Sequence, residues 1–239
     1  WRRQEELQSK FYSLAHRVKA VDVLDLPPLL DTPPMTFELE AEGRRIYRDM
    51  AEEFLADLGN GQIATAANAL TRLLRLQQVT SGFLRDEHGV DVVVDTGKRK
   101  LLAELVEDMG NEPIVVFCRF RKDLETVHDV ADKLNRPSFE ISGSRKELDL
   151  WNNEGGVLAV QIQSGGLGID LTLARYAIYY SLGFSLGDYL QSVARVYRYG
   201  QTQSVAIYHL VAERTVDQTV LAALAAREEV VESIMRRGL

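Results

Sequence analysis

The sequence predicts an α/β fold: an open parallel sheet flanked by helices and preceded by a mostly helical linker segment. From Lys98 onward, helical periods alternate with short apolar runs, which is typical of a parallel sheet wrapped by helices. One run, IVVFC at 114–118, is apolar at every position, as expected of a strand buried on both faces. The 239 residues, 46% of them hydrophobic, suffice for one large core, or one core with an appendage.

The first third, residues 1–97, is expected to be a linker and helical segment that sits apart from the sheet. Residues 1–20 are basic and helical in pattern, and the prolines between Pro27 and Pro34 then impose extended chain. A short strand is expected within 35–40, followed by helices over 41–58 and 63–80.

The second part, residues 98–213, is expected to form the sheet, and residues 214–239 a C-terminal helix. That last helix opens at Thr215, whose hydroxyl can cap it while Gln218 reaches back. Strands are predicted at five places, with helices between them: 114–118, 138–142, 157–162, 176–181 and 204–211.

Composition excludes several classes of protein. A net charge of −7 argues against a general polyanion binder, so any nucleic-acid contact must come from local basic patches. The single cysteine, Cys118, lies in an apolar run, which favours a buried, inert thiol in a reducing compartment, cytoplasmic or nuclear and not secreted. The four scattered histidines show no metal-ligand spacing. The sequence has no run of 18 apolar residues, so no membrane partner is predicted.

Three segments should meet where the strands of such a sheet end, the place where ligands collect in open α/β sheets. They are Arg119–Lys122, Gln163–Thr172 and Gln191–Thr202. In the third, Arg195 and Arg198 stand three apart, which on a helix places both guanidiniums on one face. Such a pair is suited to a polyphosphate, although a solvated helix face has the same pattern.

The other two segments each have a structural alternative. Glycines at 165, 166 and 168 let backbone N–H groups approach a phosphate, but also fit a plain tight turn. Arg119 is either part of a solvated loop or, beside Phe120, able to stack on a base. No GxxxxGK[ST] motif occurs, and the triplet 86–88 (DEH) is interpreted as a turn rather than a metal-binding acidic box.

Five sequence stretches together resemble one known family. VVFCRF, ISG, SGGLGIDLT, QSVARVYRYGQTQSVAIYHLV and RTVDQTV occur in the order found in the C-terminal RecA-like lobe of superfamily 2 helicases. The run Q-x-x-x-R-x-x-R-x-G-Q followed by a strand and a Thr-capped helix is similar to that of the Swi/Snf-type ATPases. HRVKAVDVLDLPP, ELEAEGRRIY and LLRLQQVTSG resemble the segment that links the two lobes in that family.

The resemblance implies a RecA-like lobe that completes an ATP site shared with a first lobe of the same polypeptide. The first lobe of such enzymes supplies the P-loop and acidic box, so this chain alone should hold neither ATP nor Mg²⁺ and should be inactive. Arg195 and Arg198 match the arginine fingers. By the same resemblance, ATP-binding residues are Gln191, Gly166, Gly168 and Asp170, and residues contacting DNA are Arg119, Phe120, Ser142, Gly143 and Gln161.

Two other functions are compatible with these stretches. A degenerate lobe could serve as a non-catalytic interaction module, but a scaffold needs neither the arginine pair nor the glycine cluster. An RNA helicase lobe is the second alternative. The Q-x-x-x-R opening, in place of the His-Arg opening of RNA-directed branches, favours DNA as the partner of a translocase or helicase.

Overall fold

The structure is a computed structural model that describes Glu6, Lys10 and residues 25–59, 66–164 and 168–236. Most of the predicted N-terminal helix therefore lies outside the described residues. The strands are Leu29–Asp31 (β1), Met35–Phe37 (β2), Phe83–Arg85 (β3), Asp91–Val93 (β4), Ile114–Cys118 (β5), Ser138–Ile141 (β6), Val157–Gln161 (β7), Tyr176–Tyr179 (β8) and Val205–Ala212 (β9). The helices are Ala41–Gly59 (α1), Ala66–Thr80 (α2), Gly97–Asp108 (α3), Arg121–Lys133 (α4), Leu148–Glu154 (α5), Leu186–Val196 (α6) and Val216–Arg236 (α7).

The main sheet has the strand order β1–β9–β8–β5–β7–β6, and β2 pairs with β9 beyond β1. Every pairing in it is parallel, which confirms the predicted open parallel sheet. The five strands expected after residue 98 are all present, with ends shifted by one or two residues. The small β3–β4 hairpin is separate, and residues 86–88 (DEH) lie in its turn, as interpreted from the sequence.

The central strand β5 has a hydrophobic core on each of its faces. Ile114, Val116 and Cys118 pack against helices α3 and α4 on one side. Val115 and Phe117 point to the opposite side, where α5 and α6 contribute to the second core. This alternation is why the sequence of β5 is apolar throughout. It also leaves the Cys118 thiol fully buried, and burial raises its pKa well above the ordinary value.

The proline-containing segment forms an edge of the sheet, which was not predicted. Residues 29–31 pair with 205–207 and residues 35–37 pair with 210–212, so β1 and β2 run along the same strand, β9. Pro33 and Pro34 fall in the break between them, and proline is tolerated at a sheet edge because no outer strand needs its missing N–H. The expectation that the first third sits apart from the sheet is therefore wrong.

The helical segment packs on the lobe through a third cluster. Leu76 of α2 is buried with Val216, Val220 and Leu224 of α7, and side chains of α1 cover them. The predicted cap of α7 is present with a small shift: the Thr215 hydroxyl accepts the N–H of residue 217, and the Gln218 amide oxygen accepts the N–H of residue 214.

A buried ion pair lies beside this cluster. The Lys98 side chain, only 2% exposed, contacts the Asp217 carboxylate at 2.6 Å, between Nζ and Oδ2. The other oxygen of Asp217 accepts the Thr80 hydroxyl at 2.7 Å. These bonds join α2, α3 and the start of α7 at one point.

Candidate functional site

The parallel strands bring the segments of interest to one edge of the sheet. Residues 119–122 follow β5, residues 162–164 and 168–172 follow β7 and helix α6 follows β8, so all three segments lie beyond carboxyl ends of neighbouring strands. Of the predicted ATP-binding residues, Gly166 lies outside the described residues, and Gly168, Asp170 and Gln191 lie within them.

The two arginines of the candidate pair do not lie on one helix. Helix α6 begins after Ser185, whose hydroxyl accepts the Asp188 N–H at 3.3 Å, and it ends at Val196. Arg195 is in its last turn, and Arg198 lies two residues beyond its end. The prediction that both share a helix face is therefore wrong, because the backbone leaves the helical conformation at residue 197, with φ −103° and ψ 88°.

The arginine turn, residues 195–201, is hydrogen-bonded to the segment that follows Gly168. The Leu171 N–H donates to the Arg195 carbonyl at 3.0 Å, which satisfies one of the last carbonyls of α6. Just before it, Asp170 Oδ1 accepts the Thr172 N–H at 2.9 Å and the Thr172 hydroxyl at 2.7 Å. Gly168 is exposed and has a φ of +65°, a conformation that favours glycine. Two segments predicted from separate motifs thus form one unit.

This unit carries positive charge that the described residues do not neutralise by contact. Arg195 and Arg198 are partly buried, and in the described part of the chain neither guanidinium has a carboxylate within 4.0 Å. Arg195 Nε is buried and has no hydrogen-bond partner among the described residues. Burial acts to raise the pKa of Asp170, but its bonds with Thr172 and the charge of Arg198 outweigh this and lower it. The arrangement is suited to an anion with several oxygens.

Arg119, by contrast, is held inside the molecule. Its Nη1 donates to the Gln77 amide oxygen at 2.5 Å, and the Gln77 amide nitrogen donates to the Leu182 carbonyl at 2.8 Å. Burial lowers the pKa of the guanidinium. Phe120 stands edge-on to Phe83, with ring centroids 5.6 Å apart. Both residues therefore tie the helical segment to the sheet, and their contact with nucleic acid stays a prediction.

Ser142 and Gly143 lie at the end of β6. The Ser142 side chain is buried, donates to Glu140 Oε1 at 2.5 Å and accepts the N–H groups of residues 144 and 145 at 3.2 Å. Gly143 is exposed, with no atom within 4 Å of the position a Cβ would take. Gln161 ends β7 beside Cys118 and is partly buried.

A cavity of about 570 Å³ opens between the start of α4 and the end of β6. Three cationic side chains line it, Arg121, Lys122 and Arg145, and so do Ser142 and three carboxylates, Glu125, Asp129 and Glu140. Arg121 and Lys122 lie in the predicted segment 119–122, whereas Arg145 was not predicted, because a single charged residue in a loop carries no signal of its own. Lys122 pairs with Glu125 at 2.7 Å and Arg145 lies 3.9 Å from Glu140, so the cavity is mixed in charge, and among the described residues only Arg121 of its three cations has no carboxylate within 4.0 Å.

Comparison with known proteins shows what the region around this site is similar to. Residues 97–200 match the model described as helicase conserved C-terminal domain. The ATP-dependent helicase fft1 of Schizosaccharomyces pombe is 31% identical over 136 residues, 53% of this chain and 14% of its own. The chromatin-remodeling ATPase INO80 of Arabidopsis thaliana is 26% identical over 157 residues, 62% and 10% of the two chains. Residues 97–200 thus match a helicase C-terminal domain, and the chain is similar to ATPases of the Swi/Snf type.

A solved structure has the same fold as this helicase lobe. The Sulfolobus solfataricus SWI2/SNF2 ATPase core in complex with dsDNA superposes with a TM-score of 0.67 at 23% identity, over 98% of this chain and 52% of that one. The sheet flanked by helices is thus RecA-like, as the sequence resemblance implied. The chain spans about a tenth to a fifth of the length of the first curated relatives it matches.

Two further properties of the helicase lobe bear on what it can bind. Within the described residues, no group of three or more His, Cys, Asp or Glu side chains is arranged to hold a metal ion. Among the helices that the structure describes, none is both long and apolar enough to cross a membrane.

Proposed function

We propose that this chain is the second motor lobe of a DNA-dependent ATPase, a translocase or helicase, and that Arg195 and Arg198 are its arginine fingers. ATP is hydrolysed at the interface with a first RecA-like lobe of the same polypeptide. The Swi/Snf-type lobe and its ATP-dependent relatives support this assignment.

The proposal rests on the burial of the arginine pair and on the partners that the two guanidiniums lack. Arg195 Nε is buried without a partner, and no carboxylate in the described residues pairs with either guanidinium. A buried donor without an acceptor costs free energy, which a phosphate oxygen would recover. Both residues lie at the strand ends, where a nucleotide held by another lobe can reach them.

The remaining residues of the site have supporting roles. Gly168 and Asp170 belong to the segment whose Leu171 N–H donates to the Arg195 carbonyl, and Gly166, outside the described residues, stays a predicted ATP-binding residue. Gln191, exposed on α6 and one turn before Arg195, is within range of the same ligand. As phosphate charge develops during transfer, the two guanidiniums would stabilise it electrostatically.

The first lobe, which carries the P-loop and acidic box in enzymes of this type, would place the Mg²⁺ ion that accompanies the nucleotide. We therefore expect negligible ATP hydrolysis by this chain alone. Nucleic-acid-stimulated hydrolysis by the purified chain would contradict the shared site.

The test uses a polypeptide that joins this lobe to a first lobe carrying a P-loop. We expect Arg195→Ala and Arg198→Ala each to lower turnover by about 10³- to 10⁵-fold, the range of arginine fingers in phosphoryl transfer. Arg99→Ala is a matched control, because Arg99 lies on α3 and pairs with Asp129 at 3.3 Å. DNA affinity measured by fluorescence anisotropy should stay within twofold in all three variants. Wild-type turnover in both finger variants would contradict the assignment.

The cavity beside Ser142 is proposed to hold the phosphates of one DNA strand. Arg121 supplies positive charge directly, Lys122 and Arg145 would exchange their contacts with Glu125 and Glu140 for a phosphate, and the exposed Gly143 lets the backbone approach closely. Contacts of this kind position the strand without reading its sequence.

The salt dependence of DNA binding tests whether this cavity holds the phosphates of a DNA strand. Arg121→Ala and Arg145→Ala should each lower the slope of log affinity against log salt by about 1, as expected for the loss of one phosphate contact. An unchanged slope in both variants would place the strand elsewhere. Running the assay with duplex DNA, single-stranded DNA and RNA separates a DNA motor from an RNA helicase. No binding to any of them would favour an interaction module.

A further inference from the structure

Gln201, the last residue of the arginine motif, is buried and fully engaged in hydrogen bonds. Its Nε2 lies 3.1 Å from the Thr172 carbonyl, 3.0 Å from that of Ala174 and 3.3 Å from that of Val196. Its Oε1 accepts the N–H groups of residues 202 and 203, at 2.9 and 3.0 Å. The side chain is 6% exposed, so it has little access to a ligand.

These bonds connect the parts of the candidate nucleotide site. The carbonyls at 172 and 174 belong to the segment that follows Asp170, and the carbonyl at 196 ends helix α6. The Gln201 main chain also closes the arginine turn, since its N–H donates to the Arg198 carbonyl at 3.0 Å. The turn passes through Gly200 with a φ of +99°, a conformation that L side chains rarely adopt.

Only a primary amide provides this set of bonds. Its two N–H groups are shared among three carbonyls while its oxygen accepts two donors, a combination that neither a carboxylate nor an ammonium offers. Gln203 provides a comparison two residues further on. It is exposed, so the same side chain there lacks the enclosing carbonyls.

We propose that Gln201 is a positioning residue: it holds the Arg198 turn against the segment that carries Asp170, and so fixes where Arg198 stands in the nucleotide site. The inference rests on the proposed role of Arg198 as an arginine finger. Gln201 itself would not touch the nucleotide. A fixed finger matters because a displacement of about 1 Å in a catalytic group can cost about 10²-fold in rate.

The first experiment measures the local structure in this chain by hydrogen–deuterium exchange. Gln201→Glu removes the donor and keeps the acceptor, and Gln203→Glu makes the same chemical change at an exposed position. In Gln201→Glu we expect at least tenfold faster exchange at the amides of Leu171 and Ala174. Exchange in strands β5 and β7 should be unchanged, which separates a local loosening from global unfolding. If the Glu variant does not fold, Gln201→Met replaces it.

The second experiment measures turnover in the two-lobed polypeptide. Gln201→Glu should lower kcat by about 10²-fold, with Gln203→Glu within twofold of the wild type. Unchanged exchange at Leu171 and Ala174 would overturn the inference whatever the turnover. Faster exchange with wild-type kcat would also overturn it, provided that Arg198→Ala is inactive. If Arg198→Ala turns over normally, the finger assignment itself fails, and the positioning role fails with it.

Discussion

Two regions of this lobe contain cationic side chains, and the regions differ in whether those side chains have acceptor partners. At the junction between the helical segment and the sheet, Lys98 contacts Asp217 at 2.6 Å and Arg119 donates to Gln77 at 2.5 Å. At the edge beyond β8, Arg195 and Arg198 have no such partner among the described residues, and one guanidinium nitrogen is buried without a bond. The cations at the junction hold elements together, whereas those at the edge are left available for a ligand.

The comparison shows that position at the strand ends does not identify a ligand contact. Arg119 follows β5 and the arginine pair follows β8, and the two strands are neighbours in the sheet. What separates them is the supply of acceptors. Gln77 lies 42 residues before Arg119 in the chain and reaches it only because α2 packs on the sheet. Measurements of stability and of turnover should therefore divide the cations into the same two groups.

The largest effect on stability is expected from Asp217→Ala. It leaves the Lys98 ammonium buried without its counter-charge, and breaking a buried pair in this way costs about 3–5 kcal/mol. Asp129→Ala is the control, because its partner Arg99 is the next residue along α3 but the pair is more exposed, and about 1 kcal/mol or less is expected. Urea denaturation gives both values. Equal losses in the two variants would contradict a structural role for Lys98.

The next largest effect is a pH dependence centred on Asp123, a carboxyl at the junction with 0% exposure. Burial raises its pKa from the ordinary 3.8 to about 6, against the opposing effect of its bonds from Ser181 and Phe120 and the charge of Lys98. Between these values the folded state keeps a proton that the unfolded state has released. The free energy of unfolding should therefore fall by about 2 kcal/mol as the pH rises from 4 to 6, which is most of the roughly 3 kcal/mol that this shift contributes over the whole pH range, and this group should change it little above pH 7.

Asp123→Asn tests the assignment, because the amide oxygen can still accept the Ser181 hydroxyl and the Phe120 N–H. Denaturation at several pH values should show the decline in the wild type and a flatter profile in the variant. Parallel profiles would mean that another group is responsible.

The smallest effects separate the two classes of arginine directly. Arg119→Met leaves the buried Gln77 oxygen without its donor and should cost about 1–3 kcal/mol of stability. Arg198→Met, which breaks no ion pair described here, should change stability by about 0.5 kcal/mol or less. Thermal denaturation checks both. A larger loss for Arg198→Met than for Arg119→Met would reverse the comparison.

The sequence predicted the sheet well because its strands carry a local signal. A run such as 114–118, apolar throughout and β-branched, needs no distant information to be recognised as a buried strand. The motif order also indicated which segments meet at the strand ends. The end of α6 was missed because the pattern of residues 197 and 198 continues that of the helix. What stops the helix is a set of distant bonds, from Leu171 to the Arg195 carbonyl and from Gln201 to that of Val196.

The edge strands show a second limit of sequence reasoning. A stretch interrupted by prolines carries little strand signal, and the partner of Leu29–Asp31 is 176 residues away along the chain. The roles of Arg119 and Lys98 depend on partners 42 and 119 residues away, which composition and spacing do not reveal. Tertiary contacts decided each of these cases.

The two short strands that run beside β9 have a mechanical consequence. They lie parallel to β9 at successive positions, so a pull along residues 29–37 would load their hydrogen bonds together in shear rather than one after another. Strand β9 in turn leads directly into α7. Tension arriving through the proline segment would thus pass to the C-terminal helix along one strand, without first deforming the edge that carries the arginines.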